Sequence, residues 1–328
     1  MRDNSLNTLR LVAALQVLYL HSLMHLGIAD IPVAGAVLNF FRGVPIFFAL
    51  SGFLIWQSIE RSQDFAQYAK KRFLRLYPEL WIAVAVELAV MFILYRGPYN
   101  WPQVGLFAFT QGTVFQFWTP DCLRGYGCGT PNGALWTICV LVQFYLAAWV
   151  LYKALHGKKI VIWAVCIAAS IALYLCTGVI LRHLPVLAGK LYTQSLFPYL
   201  WIFLSAMLIA EKRETVLPAL KKYFPLFLLG SVAFIFVKAD ACSGHYPLMH
   251  TLLQIPGLIG AAYALPRLNI KKDISYGIYI YHMTVVNALI ALGFSGSRLL
   301  LVAVVLCSAL AALISSRITA GLRKAKTE

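Results

Sequence analysis

The sequence predicts an all-α polytopic membrane protein. It expects about ten transmembrane helices in a single domain over residues 1–328, both termini cytoplasmic, and one long extracytoplasmic re-entrant loop. Three observations predict this. First, 61% of the residues are hydrophobic and only 12% charged, against about 25% charged in soluble domains. Second, apolar runs near the length that crosses a bilayer recur at about 8–27, 33–56, 77–96, 134–152, 160–181, 193–210, 223–239, 247–266, 274–293 and 298–318. Third, the Lys and Arg behind the net charge of +16 fall in short clusters between those runs. With ten spans and a cytoplasmic N-terminus, 21 of the 28 lie on the inner side, as the positive-inside rule requires. That clustering argues against a nucleic-acid partner and for contact with membrane lipid.

The first run, LRLVAALQVLYLH, carries Arg10 and His21. Eleven positions make three helical turns plus about 20°, so both lie on one face, separated by a rise of about 16 Å. Ionisable residues inside a span are costly and point to function. An imidazole there suits a general base toward a hydroxyl, or a transient acyl carrier. The structural alternative is a histidine hydrogen-bonded in a helix interface. His25, one turn further on, reads as a supporting residue. No small-residue cleavage site follows the run, so it is expected to stay as an anchor.

The second run contains Gly43-Val-Pro-Ile-Phe-Phe-Ala-Leu-Ser-Gly-Phe-Leu-Ile55. Ser51-Gly52 lets another helix approach closely, and Ser51 has no adjacent base, so packing is favoured over a nucleophilic role. Before the third run stands Tyr68-Ala-Lys-Lys-Arg-Phe-Leu-Arg-Leu-Tyr-Pro78. Arg72 and Arg75 are neighbours on a helical turn and with Lys71 form a forked cationic group. Such a group suits phosphates, and equally a lipid head-group anchor. Glu87 is the only acidic residue deep in a run.

The stretch 103–118 is short and polar-interrupted. If it spanned, every later basic loop would flip outward, so 97–133 is read as one outer loop. A loop at membrane depth is tolerated only when buried in protein or lining a cavity, and this one is a candidate lid over an acceptor. Cys122, Cys128 and Cys242 fall on the outer side, where a disulfide is expected. A Cys122–Cys128 bridge closing the Arg124–Gly127 turn is one form of it, and three free thiols are the alternative. The fourth run opens Gly133-Ala-Leu-Trp-Thr, placing Trp136 and Thr137 at an interface, and carries Gln143, a buried amide that needs a partner. The ninth contains Asp273-Ile-Ser-Tyr-Gly-Ile-Tyr-Ile-Tyr-His282. Tyr279 and His282 are three apart and suit a hydrogen-bonded pair facing the bundle, or polar glue between helices. No His or Cys spacing suggests a metal site.

Taken in order, these stretches resemble the acyltransferase-3 family of membrane acyltransferases. The resemblance rests on Arg10 to His21, the FFxxSGF-type stretch Phe47 to Phe53, Arg72 and Arg75, the WTxxVExQFY-type helix from Trp136, and the SYGIYxYH-type helix Ser275 to His282. It implies transfer of an acyl group, usually acetyl, from cytosolic acetyl-CoA or another acyl-CoA to a hydroxyl of a glycan or its lipid-linked precursor. It implies catalytic roles for His21 and Arg10, donor binding at Lys71, Arg72 and Arg75, and no metal. Ser51, Trp136, Gln143, Tyr279 and His282 are then supporting or acceptor-side residues. Location in a bacterial inner membrane follows by the same resemblance, and assembly with further copies stays open. One departure stands out: Leu141 occupies the place of the motif's Glu. Two alternatives are an exporter of an anionic or lipid-linked solute, and a catalytically weakened family member.

Overall fold

The computed structural model describes residues 5–236, 246–266 and 273–324. Among them there is no strand. The helices are α1 (Leu6–Leu26), α2 (Pro32–Phe40), α3 (Gly43–Glu60), α4 (Phe65–Leu94), α5 (Trp101–Gln111), α6 (Trp136–Leu155), α7 (Ile160–Leu175), α8 (Thr177–His183), α9 (Val186–Thr193), α10 (Leu200–Glu211), α11 (Arg213–Ile235), α12 (Leu248–Ala264), α13 (Ser275–Ala291) and α14 (Leu299–Lys324).

The described part of each apolar run is mainly helical, but not every such helix is long enough to cross a membrane. Six stretches are long and apolar enough to cross a membrane, or eight if α7 with α8 and α9 with α10 each count as one bent span. The bends are 49° and 40°. A hydropathy window sees neither a bend nor the difference between a span and a shorter helix buried in protein. α12 and α13 have 17 residues each, and α13 is buried along most of its length. The membrane signature is plain on α14. Leu306 and Leu310 are 63% and 58% exposed, while Ser308, Ser315 and Thr319 are buried. Small and polar groups face protein and large apolar ones face outward, which is the inverse of a soluble helix.

The helices sort into two compact units. One holds α3, α6 beyond Cys139, and α7 to α12, together with the first turns of α1 and α4. Its packing uses small residues for close approach. A Cβ at Gly52 would lie 2.6 Å from the Phe203 carbonyl oxygen, so Ser51-Gly52 serves the contact of α3 with α10. The Phe144 and Phe203 rings stack at 4.2 Å beside it.

The other unit holds the rest of α1, α2, α4 from Lys70, α5, the loop to α6, α13 and α14. Asp64 caps α4 through the Gln67 N–H at 2.7 Å. The basic stretch is therefore the first turns of α4 itself, not a loop that precedes a helix. Asn100 likewise caps α5, which ends after 11 residues. At 1.5 Å per residue that is about 17 Å, half a bilayer, so α5 does not span.

From α5 the chain returns along a loop that is buried in protein. Leu123 and Tyr126 pack against Met91, Val104 and Phe107 of α4 and α5. Asn287 of α13 pins the far end. Its amide nitrogen donates to the carbonyls of Thr130 at 3.0 Å and Pro131 at 2.7 Å, and its oxygen accepts from the Cys128 N–H at 2.8 Å. Asn132 donates to the Ile280 carbonyl at 2.9 Å. Cys122 and Cys128 are unbridged, so the Cys122–Cys128 form of the expected disulfide is not made. The turn is closed instead by backbone bonds from Tyr126 to Leu123 and from Gly129 to Tyr126, and by the Arg124–Asp121 ion pair. Cys242 lies outside the described residues. Replacing Asn287 with Ala orphans three backbone groups, at an expected cost of about 2–4 kcal/mol. A rise in the rate of Cys128 alkylation by a water-soluble maleimide checks this; an unchanged rate means the loop is held by other contacts.

Candidate active site

α1 runs unbroken from Leu6 to Leu26, so Arg10 and His21 stand on one helix as the spacing predicts. Arg10 is partly buried. His21 meets His282 of α13, its Nδ1 lying 2.8 Å from Nε2 of His282. The rings are nearly coplanar, with planes 23° apart and centroids 5.1 Å apart. His25 sits on the other side of His21, ring centroids 5.8 Å apart.

The hydrogen-bond chain fixes where the protons are. His282 is fully buried, and its Nδ1 lies 2.6 Å from the Tyr279 carbonyl oxygen. A carbonyl only accepts, so that nitrogen carries the hydrogen. Nε2 of neutral His282 is then a lone pair, and Nδ1–H of His21 donates to it. The lone pair of His21 is left on Nε2, the nitrogen turned away from its partner. This is the arrangement of a general base held in one tautomer by a second group.

Tyr279 supports the pair from below. The expected hydroxyl contact to His282 is not made; the backbone carbonyl makes it. The hydroxyl instead donates to the Ala134 carbonyl at 3.0 Å and lies 2.7 Å from the Thr137 hydroxyl. Three residues apart on a helix, a tyrosine ring and a histidine both point outward, and the hydroxyl overshoots its neighbour to reach the next element. Thr137, rather than Trp136, is therefore the residue of the fourth motif that reaches α13. Trp136 is half-buried at the start of α6.

The remaining expected residues fall elsewhere. Gln143 finds its partners in the first unit, donating to the Gln194 carbonyl at 2.9 Å and accepting from the Leu196 N–H at 3.0 Å. Both ends of the amide thus brace the break between α9 and α10. Ser51 belongs to that unit too, as does Leu141. Lys71, Arg72 and Arg75 lie within about 100° of arc on α4. Lys71 is exposed and Arg72 partly buried. Arg75 pairs with Asp273 at 3.2 Å while 42% of its side chain stays exposed. This cationic group is exposed on one side, with one guanidinium already partly neutralised.

The sequence reading did not foresee that His21 and His282 pair, nor the parts played by Thr137, Asn132 and Asn287. The two histidines are 261 positions apart, and nothing in a single sequence joins them. Asn287 did carry a signal: it is an amide inside an apolar run, where such a group must find a partner.

Comparison with known proteins gives the class of the whole chain. A family model described as an acyltransferase domain matches residues 3–317. The chain belongs to the acyltransferase-3 family. It is a multi-pass membrane acyltransferase, and as an enzyme it stands apart from the exporter alternative. It is also 31% identical over 322 residues to nodulation protein 10 of Rhizobium leguminosarum bv. viciae, an alignment covering 89% of this chain and 85% of that protein. No solved structure matches.

Proposed function

We propose that this acyltransferase moves an acetyl group from acetyl-CoA to a hydroxyl of a glycan or lipid-linked glycan. The observation that carries the reading is the tautomer-locked His21, with a free Nε2 lone pair inside a membrane helix. The acceptor hydroxyl gives its proton to that nitrogen as its oxygen attacks the thioester carbonyl. The carbon–sulfur bond breaks, and the proton passes to the departing CoA sulfur. Ester and thiol are the products, with no net proton change. A hydroxyl of ordinary acidity needs such a base, and general-base assistance is worth about 10²–10⁴-fold.

Lys71, Arg72 and Arg75 suit the donor because a CoA thioester carries its phosphates at the end far from the reacting carbonyl. In this reading ten spans place both termini and these cations in the cytoplasm of a bacterial inner membrane. Arg10, on the same helix as His21, holds negative charge near the mouth of the α1 face. The loop from α5 to α6 then lies outside, over the acceptor.

The reading is tested by giving protein in nanodiscs radiolabelled acetyl-CoA and a glycan extract of its host. Label entering the glycan with matching release of CoA supports it. Labelled acetate without labelled glycan would contradict the acceptor class. For the donor site, acetyl-CoA is compared with acetyl-pantetheine, which lacks the nucleotide phosphates. Replacing both Arg72 and Arg75 with Ala is expected to raise KM for acetyl-CoA by about 10–100-fold, two charge-assisted bonds being lost. KM for acetyl-pantetheine should hardly move. Equal rises for both donors would remove the phosphate role.

A further inference from the structure

The loop between α5 and α6 covers a buried carboxyl that the transfer step does not use. Glu87 of α4 is 1% exposed, and neither carboxylate oxygen has a hydrogen-bond partner among the described residues. Asn132 of the loop lies beside it. One N–H of its amide goes to the Ile280 carbonyl and the other is within reach of Glu87, while its oxygen is buried and unpartnered among the described residues. Tyr126, also of the loop and 1% exposed, has an unpartnered buried hydroxyl within range of the Glu87 charge. Burial pushes that hydroxyl above its ordinary value and Glu87 adds to the shift, so it stays a donor.

Buried polar atoms are nearly always satisfied, and each exception asks for a ligand, a water or a reason. Here four such atoms come from one helix and one loop. Their chemistry is specific: the two oxygens of a carboxyl, an amide oxygen and a phenol hydroxyl. An apolar chain satisfies none of the four. A molecule with several hydroxyls donates to Glu87 and Asn132 and accepts from Tyr126. The group is also tied to the histidine pair, because Asn132 hangs from Ile280, two positions before His282 on α13.

We propose that Glu87, Tyr126 and Asn132 form the subsite that takes the hydroxyls of the acceptor sugar beneath this loop. The proposal deepens the glycan reading above and rests on it. It has a consequence for the empty protein. A carboxyl kept for a ligand destabilises the unliganded state, whereas one that holds the fold together stabilises it.

Glu87→Met and Glu87→Gln are therefore compared with the wild type in detergent. Glu87→Met is expected to melt several degrees higher and to transfer no label to the glycan extract. Glu87→Gln is expected to raise the glycan concentration for half-maximal transfer about tenfold, the loss of one hydrogen bond, while half-saturation by acetyl-CoA stays put. A Glu87→Met protein that melts lower, or fails to fold, overturns the proposal. So does a Glu87→Gln protein with wild-type dependence on glycan. If the wild type transfers no label at all, the glycan reading has failed, and melting shifts with added glucose, N-acetylglucosamine or glycerol judge the subsite alone. Stabilisation of the wild type but not of Glu87→Met then supports it, and equal shifts, or none in either, overturn it.

Discussion

His21→Ala is expected to lower transfer from acetyl-CoA by about 10³-fold or more, with KM for the donor nearly unchanged. The His21 imidazole stands at the contact of α1 with α13, and loss of a general base costs about 10²–10⁴-fold. The effect should fall on kcat because the proton moves only as the new bond forms. Initial rates of CoA release with saturating glycan measure it. A variant with a kcat within a few-fold of wild type would move the base elsewhere. The Leu141→Glu change would then be the informative one, because it restores the family carboxylate in the fourth motif.

The second large effect belongs to His282. This residue touches no reacting atom in the proposed step and acts by positioning His21. Replacing it with Ala frees the His21 ring and lets Nδ1, rather than Nε2, carry the lone pair. The expected loss in kcat is about 10²-fold, within the range for a misoriented base. His282→Gln should recover part of it, since its amide oxygen can accept from His21 Nδ1–H in the same place. A purely structural role for His282 predicts no such rescue, and a lower melting temperature that tracks the loss of activity.

Much of the fold was legible in the sequence, for physical reasons. Hydropathy locates helices in a membrane because the bilayer leaves the backbone few other choices. The described part of each run is accordingly mainly helical, and the polar-interrupted stretch after Asn100 does not span. Legibility failed where the outcome depends on packing. The bends at Cys176 and near Leu196, and the 17-residue α13, turned the expected ten spans into six to eight candidates. That the stretch between Asn100 and Gly133 does not span was read from charge asymmetry, but its anchor Asn287 was not foreseen.

The site was half legible. Arg10 and His21 share a face because the helical period dictates it, and α1 is continuous. His282 stood out as a histidine within an apolar run, yet its assigned partner was the Tyr279 hydroxyl. Side-chain reach settled that against the expectation: the carbonyl of Tyr279 takes the bond and its hydroxyl crosses to Ala134. Gln143 was expected to need a partner, and it finds one in the backbone at the break before α10. In each case local spacing gave the residue, and the partner came from an element distant in sequence.

The account's central claim is that His282 works through His21. It is tested most directly by a double-mutant cycle on kcat for acetyl transfer, using His21→Ala, His282→Ala and the pair together. Two residues acting as one unit predict that the double variant is no slower than His21→Ala alone. Losses that multiply would contradict the claim, because they would show His282 contributing to the reaction when His21 is absent.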